Sequence, residues 1–292
     1  MQQFLATTLS GLVLGAVYAA FALALCMIWR STRIVNFAQA AMAMVTTYIA
    51  LELIDAGANY WVGFAAALIA GLALGAFVER VVVRPVEGKS EINAVILTLG
   101  LFMMIHALAA LVFGTQYQPM QAPFSIEGLR VGDTTVPISP MGLFTIAAVG
   151  VVMTCLLLLF QYTDLGLRMR AAAFNPEVSR LLGVRVGRML TLGWALAAMI
   201  GALAGLLIGS GSFIHPGYMD AYVVFGFVAA VLGGLDSPVG SVVGGLILGL
   251  TLSFVSGYLG GHLVSVFALA ILIVVLLVRP GGLFSHVAER RV

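Results

Sequence analysis

The chain alternates between long apolar runs and short polar interruptions, and the apolar runs have the length of membrane spans. Nine stand out, at about 4–28, 34–55, 61–79, 92–113, 141–160, 189–209, 217–235, 240–259 and 262–279. A helix needs roughly 20 apolar residues to cross a bilayer, and shorter ones are tolerated where the backbone is buried in protein. The runs at 34–55 and 217–235 are the weakest. Each opens on polar or helix-breaking residues, "IVNFAQAAMAM" and "HPGYMDAYVVFGF", as a half-helix or re-entrant piece does. The pattern predicts an all-α integral membrane protein: a polytopic helix bundle of about 8–10 transmembrane segments with interrupted helices, in one domain over 1–292.

Composition agrees. The 292 residues are 62% hydrophobic and only 9% charged, where a soluble domain is about 25% charged. The positions of the charges matter more than the net charge of +2, which gives no sign of a nucleic-acid partner. Of fourteen Lys and Arg, thirteen fall in four connections: Arg30 and Arg33; Arg80, Arg84 and Lys89; Arg168, Arg170, Arg180, Arg185 and Arg188; Arg279, Arg290 and Arg291. With nine crossings these four connections share one side, which the positive-inside rule makes the cytoplasm. Arg130 alone lies opposite, in the Pro/Gly/Thr-rich loop 114–140. The expected orientation is N-terminus outside and C-terminus cytoplasmic. The first run has no Lys or Arg ahead of it and is too long for a signal-peptide core, so it reads as a retained span. Cys26 and Cys155 both sit in apolar runs and read as small packing residues.

"GLALG" (71–75) and "GLILG" (245–249) each follow a weak segment. Grouping by four gives a first repeat over 4–113, a lone linking helix at 141–160 and a second repeat over 189–279. A single helix between two four-helix units inverts the second unit in the membrane. Such inverted repeats place a solute path between the units, near the interrupted helices. Small residues four apart (Gly11 and Gly15, Gly71 and Gly75, Gly201, Gly205 and Gly209, Gly245 and Gly249) fit close packing of helix backbones in lipid.

Several chemistries have no footing. There is no GxxxxGK phosphate loop, so the chain carries no ATPase site of its own. The four histidines are scattered, giving no metal site, and no catalytic residues are assigned. No array of intramembrane acids or arginines suggests a proton pump. Asp220 and Asp236 stand at segment ends, where capping or solvation is expected. The polar residues inside the runs are few: Asn36 and Gln39 at the break before the second segment, Glu52 near its far end, and His106 in the fourth. An intramembrane polar group is a functional candidate; for His106, hydrogen bonding between helices competes with a place on a solute path.

One stretch breaks the apolar rule. "NPEVSRLLGVRVGR" (175–188) carries a helix-start signal: Asn175 as N-cap, Pro176 at the first position, and Glu177 at the positive helix end. Gly183 closes the helix. This two-turn helix has Val178, Leu181 and Leu182 on one side, expected to rest on the membrane domain, and Arg180 on the other. "LGLRMRAAAF" (165–174) just before it is read as another amphipathic turn. The cytoplasmic loop 161–188 is therefore either an arginine-bearing loop on anionic headgroups or a docking foot for a motor subunit.

The motifs "VNFAQAAMAM" (35–44), "GLRMRAAAFNPEVSRLLGV" (166–184), "AAVLGGLDSPVGSVVGGLILG" (229–249) and "RPGGLF" (279–284) resemble those of the LivH-like permease subunits of branched-chain amino-acid ABC importers, over nearly the whole chain. The resemblance implies a bacterial inner-membrane protein that pairs with a second, homologous permease. It implies two cytoplasmic ATP-binding subunits, which hold ATP and Mg, and a periplasmic solute-binding protein, with no cofactor in this chain. It makes Asn175, Pro176, Glu177, Val178, Ser179, Arg180, Leu181, Leu182 and Gly183 the ATPase-coupling helix. Asn36, Phe37, Gln39, Tyr48 and His106 are the candidates for the solute path. Ala40 and Ala41 stand where the family has Gly and often an acid, and Thr46 and Thr47 replace a common Gly-Ala pair. The solute class is thus open among branched-chain and other amino acids, urea, short amides and aromatic acids. The alternative is a stand-alone channel or facilitator for a small neutral solute such as urea or an amide.

Overall fold

The structure, a computed structural model, describes residues 2–86, 91–131 and 134–284. Lys89, Arg290 and Arg291 lie outside the described residues. Each apolar run of the sequence is a helix. In chain order these are α1 (Gln2–Thr32), α2 (Gln39–Asp55), α3 (Tyr60–Phe77), α4 (Glu91–Phe113), α5 (Pro140–Tyr162), α6 (Asp164–Phe174), α7 (Pro176–Leu181), α8 (Val186–Gly209), α9 (Asp220–Gly233), α10 (Pro238–Phe254) and α11 (Val264–Val278). Among the described residues, seven helical stretches are long and apolar enough to cross a membrane. The 17-residue α2 and the 14-residue α9 are the short pair, and these are the two weak segments of the sequence.

Helix starts follow side-chain chemistry. Asn59, Ser139, Thr163, Asn175 and Ser237 each accept an amide hydrogen bond from the first turn of α3, α5, α6, α7 and α10, satisfying donors that a helix start leaves free. α3 and α10 both run on into wider π-helical turns, Val78–Val83 and Val255–Leu259. The 114–140 connection, read as an irregular loop, contains short strands. β1 (Gln118–Pro119) pairs antiparallel with β4 (Phe213–Ile214), and β2 (Leu129–Val131) with β3 (Thr134–Val136). Period-two patterning is too short there to announce strands.

The middles of α1 and α8 are buried and form the centre of the bundle. α10 lies along α1 and α3 along α8; α2 contacts α3, α4 and α8, while α9 contacts α10, α11 and α1. Exchanging α1 with α8, α2 with α9, α3 with α10 and α4 with α11 leaves this set of neighbours unchanged. Trp194, early in α8, donates to the Thr32 hydroxyl at the end of α1 (3.3 Å), so the two central helices run antiparallel and the exchange is an inversion. Glycines set the close approaches. A Cβ on Gly245 would lie 2.4 Å from the Ala19 nitrogen, and one on Gly75 2.4 Å from the Trp194 carbonyl oxygen. Only a residue without a side chain fits either helix pair.

Of the two free cysteines, Cys26 is buried in α1 as expected, but Cys155 is exposed on α5. The correction has a simple cause: α5 packs mainly on α1, and the rest of its surface is apolar and unburied. Apolarity in a lipid-solvated chain marks the bilayer-facing surface as readily as the protein core.

Candidate functional site

The break before α2 is a polar knot. Asn36 and Gln39 are both 0% exposed. Asn36 Nδ2 donates to Gln39 Oε1 (3.1 Å), Asn36 Oδ1 accepts from the Ala38 amide (3.0 Å), and Gln39 Nε2 donates to the Ala197 carbonyl on α8 (3.0 Å). Gly201 makes the room: a Cβ there would stand 2.2 Å from Gln39 Nε2. Two turns further along, Thr47 donates to the Ala43 carbonyl (2.9 Å) and accepts from the Tyr218 hydroxyl (2.8 Å). Gly205 leaves space for Thr47 in the same way. The polar residues of α2 thus fit against glycines of α8.

The other path candidates occupy different contacts. Phe37 is partly buried, its ring centroid 6.5 Å from that of Phe227 on α9. Tyr48 is buried and stacked on Phe113 of α4 at 4.5 Å. Its hydroxyl has no protein hydrogen-bond partner among the described residues. His106 Nε2 lies 3.1 Å from Asp220 Oδ1 at the start of α9, and Nδ1 lies 3.2 Å from the Phe102 carbonyl. His106 therefore ties α4 to α9. Asp236 pairs with Arg33 at the arginine-rich end.

At that end, α6 and α7 form a foot. α6 is a full helix of 11 residues, longer than the single turn expected. Ala172 packs with Val186 and Leu190 of α8 in a small separate apolar cluster. α7 has the predicted cap: Asn175 Oδ1 accepts from the Val178 amide (3.0 Å). It closes at Gly183, whose φ of +80° favours glycine, with the Val184 amide donating to the Ser179 carbonyl (2.9 Å).

The expected orientation of α7 is corrected. Val178, Leu181 and Leu182 do not rest on the membrane domain; Leu181 is 87% exposed and Leu182 77%. Phe174, at the end of α6, is 93% exposed, whereas Ser179 is buried. The small hydroxyl-bearing residue permits the close approach to the domain, and the large apolar side chains project away. Asn175, Pro176, Glu177, Arg180 and Gly183 are exposed too. Arg168, Arg170, Arg185 and Arg188 flank this bare apolar surface.

One interaction near the foot was not anticipated. Glu79, 1% exposed, takes both Arg84 Nη2 contacts at 2.9 Å and the Thr191 hydroxyl at 2.7 Å; Arg84 also donates to the Gly187 carbonyl (2.8 Å). Glu79 and Arg84 are five apart, and the π-helical turn at Val78–Val83 brings such positions onto one face. An α-helical reading puts them on different faces, which hid the pair. Among the described residues, no group of three or more His, Cys, Asp or Glu could hold a metal.

Known proteins are similar to this chain over much of its length. LivH, the high-affinity branched-chain amino acid transport system permease protein of Salmonella typhimurium, is 29% identical over 300 residues, covering 97% of this chain and 96% of its own. BraD, named likewise, of Pseudomonas aeruginosa is 30% identical over 297 residues with the same coverage. The ribose import permease protein RbsC of Escherichia coli is 26% identical over 202 residues, 68% of this chain and 60% of its own. PsaBC from Streptococcus pneumoniae in complex with Fab aligns over 96% of this chain and 91% of that one, at a TM-score of 0.47 and 14% identity. The model of one family, the permease component of the branched-chain amino acid transport system, matches residues 7–276. With the helix bundle and these relatives, that match makes the chain a multi-pass membrane transport subunit, not an enzyme, and it belongs to the branched-chain amino acid transport permease family.

Proposed function

We propose that the chain is one of two permease subunits of an ABC importer that moves a branched-chain or other small apolar amino acid into the cytoplasm. Two ATP-binding subunits supply the work, binding ATP and Mg at their own sites, and a periplasmic solute-binding protein delivers the cargo. The observation carrying this reading is the foot: a capped helix whose largest apolar side chains, Leu181 and Leu182, are bare beside Phe174. Burying each is worth roughly 1.5–3 kcal/mol, a contribution toward seating a protein partner. A free-standing channel gives that surface no purpose. It also needs a continuous opening, and Asn36, Gln39 and Tyr48 are closed off from solvent.

In this reading residues 175–183 transmit ATPase motion to α8 and, through Arg84, to α3. The N-terminus faces outward and the C-terminus the cytoplasm, with repeats over 4–113 and 189–279 about the linking helix. Asn36, Phe37, Gln39, Tyr48 and His106 border the solute path and open to it when α2 and α9 part. The unpartnered Tyr48 hydroxyl supports this: a buried polar group left unpaired costs about 1–3 kcal/mol, and a passing solute or water relieves it. The test is the double substitution Arg180→Asp, Leu181→Asp in the reconstituted complex. It abolishes solute-stimulated ATP hydrolysis while the permease still elutes as a folded protein; unchanged transport rejects the coupling role.

A further inference from the structure

At the arginine-rich end, two adjoining cavities of ≈ 180 and ≈ 520 Å³ share Met27, Arg30, Phe160 and Arg170, and so form one cleft. Its inner part lies between α1 and α5 and is apolar, lined by Leu23, Met153 and Leu156. Its mouth is basic. Arg30 is half-buried, with its guanidinium 5.6 Å from the Phe160 ring centroid. Neither Arg30 nor Arg170 has a hydrogen bond or ion pair with protein among the described residues. The nearby carboxylate, Asp236, is held by Arg33. Pro238 and Val239, the first residues of α10, also line the inner part.

We propose that this cleft binds an anionic phospholipid of the adjacent leaflet, its phosphate between Arg30 and Arg170 and one acyl chain along Leu23, Met153 and Leu156. A guanidinium offers five donors and no acceptor, so half-buried Arg30, with exposed Arg170 lining the same cleft, calls for an anion with several oxygens. Basic pockets between membrane helices take lipid headgroups on these grounds. A free phosphate satisfies the mouth but leaves the apolar inner cleft unused. The two chemistries meet in one molecule. This inference is independent of which solute the permease carries.

The test uses the full chain in phosphatidylcholine nanodiscs doped with a photoreactive phosphatidylglycerol, with labelled residues mapped by mass spectrometry. Labelling concentrates on residues 153–161 of α5. R30Q/R170Q lowers phosphatidylglycerol occupancy about thirtyfold, from roughly fivefold per arginine. Leu157→Trp, which narrows the inner cleft, lowers occupancy with both arginines present, while Arg168→Gln on the exposed part of α6 leaves it unchanged. Three results overturn the proposal. One is equal labelling in R30Q/R170Q; another is displacement of the lipid by inorganic phosphate alone, which makes the mouth a plain anion site. The third is loss of ATPase-subunit association in R30Q/R170Q with lipid labelling intact, which makes the arginines protein contacts.

Discussion

Replacing Arg84 by Met removes the cation from a carboxylate that has almost no access to water. Glu79 is 1% exposed while Arg84 is 37% exposed, so the burden of desolvation falls on the acid. Met keeps much of the aliphatic stem but none of the donors, leaving Glu79 with the Thr191 hydroxyl alone. Breaking a buried pair from one side costs about 3–5 kcal/mol. The same substitution takes the Arg84 donor from the Gly187 carbonyl at the start of α8, leaving it the Thr191 hydroxyl, and loosens the foot from α3. The second step is Glu79→Gln on top of Arg84→Met. The neutral amide keeps a hydrogen bond to Thr191 and leaves no unpaired charge, so more than half of the lost stability returns. Thermal unfolding of the detergent-purified chain measures both: the single variant melts at least about 6 °C lower, using 2–4 °C for each kcal/mol. A single variant within about 2 °C of the parent, or a double variant no more stable than the single, refutes the reasoning.

Two further outcomes are expected. Gly201→Ala drives a Cβ into Gln39 Nε2 and breaks the α2 knot at a cost of about 2–4 kcal/mol; adding Gln39→Ala restores part of it, and a melt in which the two changes simply add counts against the packing described. Asn175→Ala costs α7 about 1 kcal/mol of capping, seen as roughly fivefold faster hydrogen exchange at the Val178 amide, with no change at Val186.

The architecture was readable from the sequence because lipid makes an apolar run unambiguous in length. The two short helices were readable because Asn36 and the His215–Pro216–Gly217 turn interrupt such runs. The cap and stop of α7 follow from Asn175, Pro176 and Gly183, whose effects are local. Its facing was not legible. Sequence gives the periodicity of a six-residue helix but not which side meets the domain, and here Ser179 rather than Leu181 turns inward. The glycines of α8 were visible as packing positions, but their partners on α2, Gln39 and Thr47, are 162 and 158 residues away from Gly201 and Gly205. No local rule joins such distant positions. The Glu79–Arg84 pair was obscured for a different reason: it depends on a local departure from the 3.6-residue repeat.

The bare Phe174, Leu181 and Leu182 also bear on how the cell handles this subunit before assembly. A copy inserted into the membrane without its neighbours displays greasy side chains to the aqueous compartment, on a short segment that a protease can reach. If these residues seat a motor subunit, as proposed, the same side chains that expose an orphan copy to removal are covered on assembly. On that proposal, the balance of subunits is set after translation, by survival of the copies that find partners.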